Sequence, residues 1–254
     1  ISTEKKIASL DQEIEATHLS TFLALVEKRK QGIPIAYLIG YKNFFGYKIK
    51  VTSRVLIPRP ETETILEHVI EKVRGIFPNK DNLVMADVGT GSGEIALVLS
   101  KAFPKAKIIA SDISSQAIEV AKENLSSHEA KSVTLLKSDL LKNYPKTKLD
   151  VVVANLPYLS KKVYKKVSPE VKHEPRKALV SGDDGLDHYR ELLPLLSNVI
   201  DKELLLFLEI DPHQFKDLSR SILKHFPNSE INPIWSLDRK TKIGLEAQIK
   251  NVLT

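Results

Sequence analysis

A regular alternation of apolar strands and amphipathic helices, which begins at Leu83, constrains the fold of this chain most. The strand-like segments are LVMADV, KIIASDI, VTLLKSDL, DVVVANL, ELLLFLEI, EINPIW and KIGLEAQIK. Helical patterns such as EIALVLSKAF and SQAIEVAKENL separate most of them. Such alternation is typical of parallel strands joined by right-handed helical crossovers. We therefore predict an α/β fold, doubly wound around a mostly parallel seven-stranded sheet. The last two strands are joined only by SLDRKTK, so we expect the final strand to be antiparallel.

The residues before Ser53 follow a different pattern. The segment from Ser2 to Lys30 is charged and carries apolar residues at helical spacing, at Leu19, Phe22, Leu23 and Val26. The aromatic, glycine-containing stretch YLIGYKNFFGYKIKV predicts a β-hairpin. We predict a small helical domain at 1–40, a hairpin linker at 41–54 and the sheet domain at 55–254. That last domain is expected to open with a helix at Thr62 or Glu63 that packs on the sheet.

Composition excludes several classes of protein. The 254-residue chain is 42% hydrophobic, which is enough for a real core. It has no cysteine, so it has no disulfide, thiolate metal site or cysteine nucleophile. Neither a signal-peptide core nor a membrane-length apolar run is present, and we expect a cytoplasmic protein without a membrane partner. The net charge of +6 comes from lysines scattered along the chain, so it identifies no partner.

The first strand of the alternating region ends in the glycine-rich loop ADVGTGSGEIA. Glycines at 89, 91 and 93 allow a tight turn and a close approach of the backbone to a ligand, and the following helix presents free amides. The spacing also satisfies one form of the dinucleotide fingerprint, so NAD remains open at this point. The loop predicts a ligand-binding site, and a plain strand-to-helix turn is the structural alternative.

Two acidic residues follow the next two strands. Asp112 lies roughly 20 residues beyond the glycine loop, where a carboxylate can accept hydrogen bonds from both ribose hydroxyls. Asp139 ends the third strand and is placed for an adenine amino group, with Leu140 able to cover the base. A helix-capping or loop aspartate is the structural alternative for each residue. Together they indicate an unphosphorylated nucleoside cofactor.

The fourth strand ends in NLPY. Proline cannot donate to a sheet and forces the preceding residue to be extended, so Asn155 lies at the carboxyl end of a strand. Ligands of open α/β sheets bind at that edge. A structural asparagine–proline turn is the alternative interpretation.

The motifs ADVGTGSG, SDIS and NLPY, in this order, resemble class I methyltransferases, a Rossmann-like fold that uses S-adenosylmethionine and methylates planar nitrogen. Two families compete. As spelled, NLPY resembles the ribosomal-RNA adenine dimethyltransferases, whereas release-factor glutamine methyltransferases usually have proline in place of Leu156. The tetrad alone favours an adenine-amino methyltransferase that acts on nucleic acid.

The amino-terminal third favours the glutamine enzymes. The stretch KRKQGIPIAYLIGYKNFFGYKIKVTSRVLIPRPETE resembles that family nearly throughout, and HEPRKALVSGDDGLDHYRELL resembles its segment after the tetrad. The chain is therefore identified as a member of the release-factor glutamine methyltransferase family over residues 28–254. The resemblance implies an S-adenosylmethionine-dependent enzyme with S-adenosylhomocysteine as product, release factors as protein substrates and a docking role for residues 1–40. His173 and Glu174 lack further metal-ligand spacing, so we expect no metal, and we expect a monomer.

The resemblance also assigns site residues. The cofactor-binding residues are Asp87, Gly89, Thr90, Gly91, Ser92, Gly93, Asp112, Ile113, Asp139, Leu140 and Asn155. The catalytic residues, which also bind substrate, are Asn155, Leu156, Pro157 and Tyr158. Arg59 and Glu61 are further substrate-binding candidates, although RPETE could equally be a helix entry, with proline in the first turn and acids near the positive helix end. For the lysine-rich stretch at 161–177 we prefer a solvated loop to a flap over the substrate.

Overall fold

The computed structural model describes residues 14–145 and 147–250. Two helices begin the described part, α1 (Ala16–Lys30) and α2 (Ile35–Ile39). A hairpin of β1 (Tyr41–Phe44) and β2 (Tyr47–Lys50) follows, and then the long helix α3 (Pro60–Ile76). Helix α3 buries its apolar stripe, including Ile65, Leu66, Val69 and Val73, against the sheet, as its spacing predicts.

The remaining elements form the alternating region. Its strands are β3 (Val84–Val88), β4 (Lys107–Asp112), β5 (Val133–Lys137), β6 (Val151–Ala154), β7 (Glu203–Glu209), β8 (Glu230–Trp235) and β9 (Lys242–Lys250). Its helices are α4 (Glu94–Ala102), α5 (Ser115–Ser127), α6 (Lys161–Tyr164), α7 (Pro169–Lys172), α8 (Asp187–Leu196) and α9 (Phe215–His225), with short 3₁₀ turns at Arg176–Ala178 and Pro212–Gln214. None of the described helices is long and apolar enough to cross a membrane.

The seven strands form one sheet in the order β5-β4-β3-β6-β7-β9-β8. The first five strands pair in parallel, whereas β9 is antiparallel to both β7 and β8. The predicted class I methyltransferase fold, with its antiparallel final strand, is therefore confirmed. The strand order reverses between β3 and β6, and ligands of doubly wound sheets bind at such a switch point.

Each face of the sheet has its own hydrophobic core. Alternate residues of β6 point to opposite faces, so Val151 and Val153 join one cluster while Val152 and Ala154 join the other. The first cluster packs α3, α4, α5 and the hairpin, and the second packs α8 and α9. With both faces covered, the ligand site is left to the edge of the sheet where the parallel strands end.

The structure corrects four predictions of local structure. The residues YLI belong to helix α2, so the hairpin begins only at Tyr41. Helix α3 begins at Pro60, two residues before the predicted Thr62. Asp139 lies two residues beyond β5 rather than at its end. The lysine-rich stretch at 161–177 forms two short helices and a 3₁₀ turn instead of a loop. The part of the predicted amino-terminal helices before residue 14 lies outside the described residues.

Candidate active site

Strand register brings the sequence motifs to a single edge. Val88 at the end of β3 pairs with Ser111 of β4 on one side and with Ala154 of β6 on the other. The glycine loop, Asp112 and NLPY follow these three positions directly. The three motifs therefore surround the switch point of the sheet, although they are far apart in the sequence.

The glycine loop needs its glycines for conformation and for space. Gly89 and Gly93 have φ values of +81° and +83°, which strain any residue with a Cβ. A Cβ on Gly89 would also lie 2.8 Å from Leu156 Cδ2, a distance that atoms cannot adopt without a shift. The absence of a side chain at Gly89 thus lets the loop pack directly against NLPY.

Asp87 lies beneath the loop and is fully buried. Its Oδ2 accepts hydrogen bonds from the Thr90 hydroxyl, at 2.5 Å, and from the Ala96 amide, at 3.1 Å. Its Oδ1 has no hydrogen-bond partner among the described residues. Burial raises the pKa of Asp87 to about 8, because a charge there is poorly solvated. A cationic ligand above the loop would stabilise the ionised form. Of the amides at the start of the following helix, that of Ala96 is occupied by Asp87.

Asp112 is placed to hold both the loop and a ligand. One carboxylate oxygen accepts the Gly91 amide at 3.0 Å, and the other accepts the Ser114 amide at 2.8 Å. A carboxylate has about four acceptor positions, so Asp112 keeps acceptor capacity for ribose hydroxyls. Burial raises the pKa of Asp112, and hydrogen bonds from the Ser114, Gly91 and Ile113 amides oppose that rise. Next to it, the Ile113 side chain is 62% exposed, which is unusual for isoleucine and suits the face of an adenine ring.

Asp139, predicted to bind the adenine amino group, fits that role less closely than Asp112 fits the ribose. Asp139 forms an ion pair with Lys142 on the surface. Leu140 has a φ of +50° and lies buried in the second hydrophobic cluster. Its side chain therefore belongs to the core rather than to an exposed surface that could cover a base.

The NLPY turn presents its groups as the proline predicts. Strand β6 ends at Ala154, so Asn155 is the first residue beyond the sheet, and it is partly buried. Leu156 is buried against the glycine loop. The Tyr158 carbonyl accepts a hydrogen bond from Gln214 Nε2 at 2.8 Å, and the Tyr158 hydroxyl donates to Glu209 Oε1 at 3.2 Å. Both bonds anchor the turn at Tyr158, directly after Pro157.

Two residues that sequence reasoning missed lie behind Asn155. Its Nδ2 donates to Thr62 Oγ1 at 3.3 Å, and the Thr62 hydroxyl donates to Glu209 Oε2 at 2.6 Å. Thr62 and Glu209 are only 2% and 4% exposed. An acid at the carboxyl end of the apolar strand ELLLFLEI was a signal for Glu209 of the same kind as the one that identified Asp112.

Arg59 pairs with a buried partner rather than facing the site alone. Its guanidinium forms an ion pair with Glu174, which is 4% exposed and also accepts the Ile57 amide at 3.0 Å. Arg29 of helix α1 likewise pairs with Glu170. These contacts fasten the lysine-rich stretch to helix α1 and to the segment directly before α3. Glu61 lies in the first turn of α3, with the proline and acids of a favourable helix entry.

These residues fit a cationic nucleoside cofactor. The unpartnered Oδ1 of buried Asp87 can accept a hydrogen bond from an ammonium group, and Asp112 retains acceptors for a ribose. A Cβ on Gly91 would meet only the Gly89 carbonyl, at 4.0 Å, so open space lies above the loop. S-adenosylmethionine carries all three features: an ammonium group, a ribose with free hydroxyls, and an adenine.

Solved structures share this fold. The ribosomal protein L11 methylase of Lactobacillus delbrueckii superposes with a TM-score of 0.56 over 83% of this chain and 91% of that chain, at 21% identity. The hMettl16 catalytic domain, solved with the MAT2A 3'UTR hairpin 6, gives a TM-score of 0.63 over 96% of both chains, at 12% identity. Identities this low show the fold alone.

Sequence comparison is more specific. Residues 64–184 match the model of the methyltransferase small domain, and residues 1–40 match that of the PrmC N-terminal domain. The release factor glutamine methyltransferase of Bacillus cereus is 38% identical over 93% of this chain and 84% of its own length. The release factor glutamine methyltransferase of Bacillus subtilis is 36% identical over 94% of this chain and 83% of its own length. The chain is thus an S-adenosylmethionine-dependent methyltransferase, and it belongs to the release factor glutamine methyltransferase family.

Proposed function

We propose that this protein transfers a methyl group from S-adenosylmethionine to the side-chain amide nitrogen of a glutamine in peptide chain release factors, namely the glutamine of their GGQ loop. The observation that carries the proposal is the amide of Asn155 at the switch point of the sheet, held by Thr62 and set against the glycine loop. The proposed enzyme acts in the cytoplasm as a monomer, releases S-adenosylhomocysteine and needs no metal ion.

The chain holds the cofactor with residues at the ends of β3 and β4. Asp112 would accept the ribose hydroxyls, the exposed Ile113 would cover the adenine, and Asp87 with the glycine loop would hold the amino-acid part. Asp139 remains a candidate for the adenine amino group once its ion pair with Lys142 opens. When bound, S-adenosylmethionine would supply an electrophilic methyl group on a sulfonium: the bond from nitrogen to the methyl carbon forms as the sulfur–carbon bond breaks, S-adenosylhomocysteine is released, and the proton that the nitrogen loses passes to water.

The NLPY residues act on the amide. A glutamine amide nitrogen is a poor nucleophile because its lone pair is delocalised into the carbonyl, and no group in NLPY is a base strong enough to deprotonate it. We infer that Asn155 Oδ1 and the Leu156 carbonyl each accept one amide hydrogen, which draws electron density toward nitrogen and fixes its direction. Tyr158, anchored on Glu209, forms a flat wall against the amide plane. Positioning of this kind can lower a barrier by up to about 7 to 11 kcal/mol.

Leu156 favours a second candidate, an adenine-amino methyltransferase acting on RNA, because the adenine enzymes carry NLPY with leucine at this position. The two functions separate in one experiment. Purified protein is incubated with methyl-labelled S-adenosylmethionine and either release factor or ribosomal RNA. We expect label in the release factor, at the GGQ glutamine, and none in RNA. Label in RNA alone would establish the second function instead.

Substrate docking is a separate proposal for residues 1–40, with 41–54 as linker and 55–254 as the methyltransferase domain. Helix α1 exposes large apolar side chains that a protein substrate could cover, Leu19 at 44%, Phe22 at 62% and Leu23 at 53%. The ion pair between Arg29 and Glu170 ties this helix to the segment that follows NLPY.

Phe22→Glu tests the docking role. We expect it to raise the KM for release factor roughly fivefold or more, since an aromatic anchor contributes about 1 kcal/mol or more. Affinity for S-adenosylmethionine, measured by calorimetry, should not change. Thr17→Glu is the matched control, because it adds the same charge to the same helix on the face away from Leu19, Phe22 and Leu23. Equal KM values for the two variants would contradict the docking role.

A further inference from the structure

A directional chain of hydrogen bonds runs from the active-site edge into the core. Asn155 Nδ2 donates to Thr62 Oγ1, and the Thr62 hydroxyl donates to Glu209 Oε2. A hydroxyl has one hydrogen, so it can donate in only one direction at a time. Because Glu209 takes that hydrogen, the Thr62 oxygen can only accept from Asn155.

We propose that Thr62 and Glu209 are positioning residues for methyl transfer, which orient the Asn155 amide so that its oxygen faces the substrate nitrogen. The inference rests on the proposed function, in which Asn155 Oδ1 accepts a hydrogen of the glutamine amide. The two ends of an asparagine amide have nearly the same size, so packing alone does not choose between them. The Thr62 oxygen fixes the orientation of the Asn155 amide, because it can accept a hydrogen bond only from the NH₂ end.

The protonation state of Glu209 determines the direction of hydrogen-bond donation among Asn155, Thr62 and Glu209. A neutral Glu209 would donate its own hydrogen to Thr62 Oγ1. The Thr62 hydrogen would then be free to donate to Asn155 Oδ1, and the amide would turn its NH₂ group toward the substrate. Two NH₂ groups would face each other there, and neither is an acceptor. Ionised Glu209 is therefore the form that supports catalysis.

The surroundings of Glu209 place its ionisation in an accessible range. Burial raises the pKa of Glu209 to about 7, while hydrogen bonds from Thr62 and Tyr158 oppose the rise. The titratable and charged groups that face it are Tyr158, whose hydroxyl donates to Oε1, Tyr189, whose hydroxyl donates to the Glu209 carbonyl, the carboxyls of Glu61 and Glu94, and Arg59 beyond Tyr158. The two neighbouring carboxyls raise the pKa of Glu209 further.

Substitution of Thr62 tests the positioning role. Thr62→Val keeps the shape and removes the acceptor, so we expect kcat with release factor to fall about tenfold while the KM for release factor stays within about twofold. Thr62→Ser restores the hydroxyl and should recover most of the loss. Thr64→Val, on nearly the opposite face of α3, is the matched control and should behave as wild type. Thermal unfolding and calorimetric binding of S-adenosylmethionine show whether each variant is folded and binds the cofactor.

A double-mutant cycle separates positioning from a general structural effect. If Thr62 acts through Asn155, Thr62→Val should cost nothing further in an Asn155→Ala background. Additive losses would overturn the inference, as would a Thr62→Val variant with the kcat of wild type. Failure of the wild-type protein to label release factor would instead overturn the proposed function, so the two failures are distinguishable.

The pH profile tests Glu209 directly. In the wild-type protein, kcat should fall as pH decreases through about 7, since protonation of Glu209 reverses the chain of hydrogen bonds. In Glu209→Gln the side chain cannot ionise, and the step near pH 7 should disappear even where kcat is lower overall. Persistence of the same step in Glu209→Gln would assign it to another group and overturn the role of Glu209.

Discussion

Asn155→Ala is expected to lower kcat for release-factor methylation on the order of 100-fold or more. The substitution removes the only side-chain acceptor that NLPY offers to the substrate amide, and loss of one preorganised polar group in other active sites has an effect of this size. Single-turnover measurements with saturating S-adenosylmethionine isolate the chemical step. Calorimetric affinity for the cofactor should change much less, because Asp87 and Asp112 remain in place.

Asn232→Ala is the matched control for that variant. Asn232 lies on β8 at the far edge of the sheet, where its Nδ2 donates to Glu246 Oε1 at 3.0 Å. Asn232→Ala removes the same chemical group from a hydrogen bond outside the active site, so its turnover should remain close to that of wild type. Near-normal turnover of folded, cofactor-binding Asn155→Ala would reduce NLPY to the turn that ends a strand.

The position of Asn155 could be predicted because its determinants are local. Four apolar residues require a buried strand, and Pro157 excludes the segment that follows from the sheet. The same reasoning places Gly89, which follows β3, and Asp112, which ends β4. Parallel strands bring their carboxyl ends to one edge whatever the strand order, so the site could be predicted before the order was known.

The contacts of Asn155 could not be predicted in this way. Thr62 and Glu209 are separated from it by many residues on other elements, and only strand order and helix packing bring them together. From the sequence, Thr62 was predicted only as a possible start of a helix. Asp139 and Leu140 are a case in which local reasoning failed. Strand β5 ends at Lys137, two residues before Asp139, so the Asp139 side chain lies on the surface and the Leu140 side chain lies in the core.

One short apolar run, YLI, was wrongly included in the stretch that predicted the hairpin. The residues YLI suit a strand or a helix equally well, because a run of this length has no decisive period. Tertiary structure makes it the end of helix α2, which Gly40 terminates in the left-handed conformation with φ +81°. A glycine directly after an apolar run is a helix-ending signal, and here it indicated a helix more reliably than the aromatic composition indicated a strand.

Asp112→Ala is expected to weaken S-adenosylmethionine binding at least tenfold. The carboxylate is positioned by the Gly91 and Ser114 amides, and each ribose hydroxyl that donates to it forms a charge-assisted bond of roughly 1.5 to 3 kcal/mol. Asp112→Asn retains one acceptor oxygen and replaces the other with a donor, so its affinity should lie between those of the alanine variant and wild type. Calorimetric titration measures all three proteins.

Asp139→Ala shows whether the loss is specific to Asp112. Asp139 also carries a carboxylate at this edge of the sheet, but it is more exposed and paired with Lys142. Removal of an exposed, ion-paired carboxylate should cost less, because water and the lysine already compete for its oxygens. We therefore expect a smaller loss of affinity than for Asp112→Ala. Wild-type affinity in Asp112→Ala would show that the carboxylate holds the loop rather than a ribose. Binding of NAD in preference to S-adenosylmethionine would contradict the choice of cofactor.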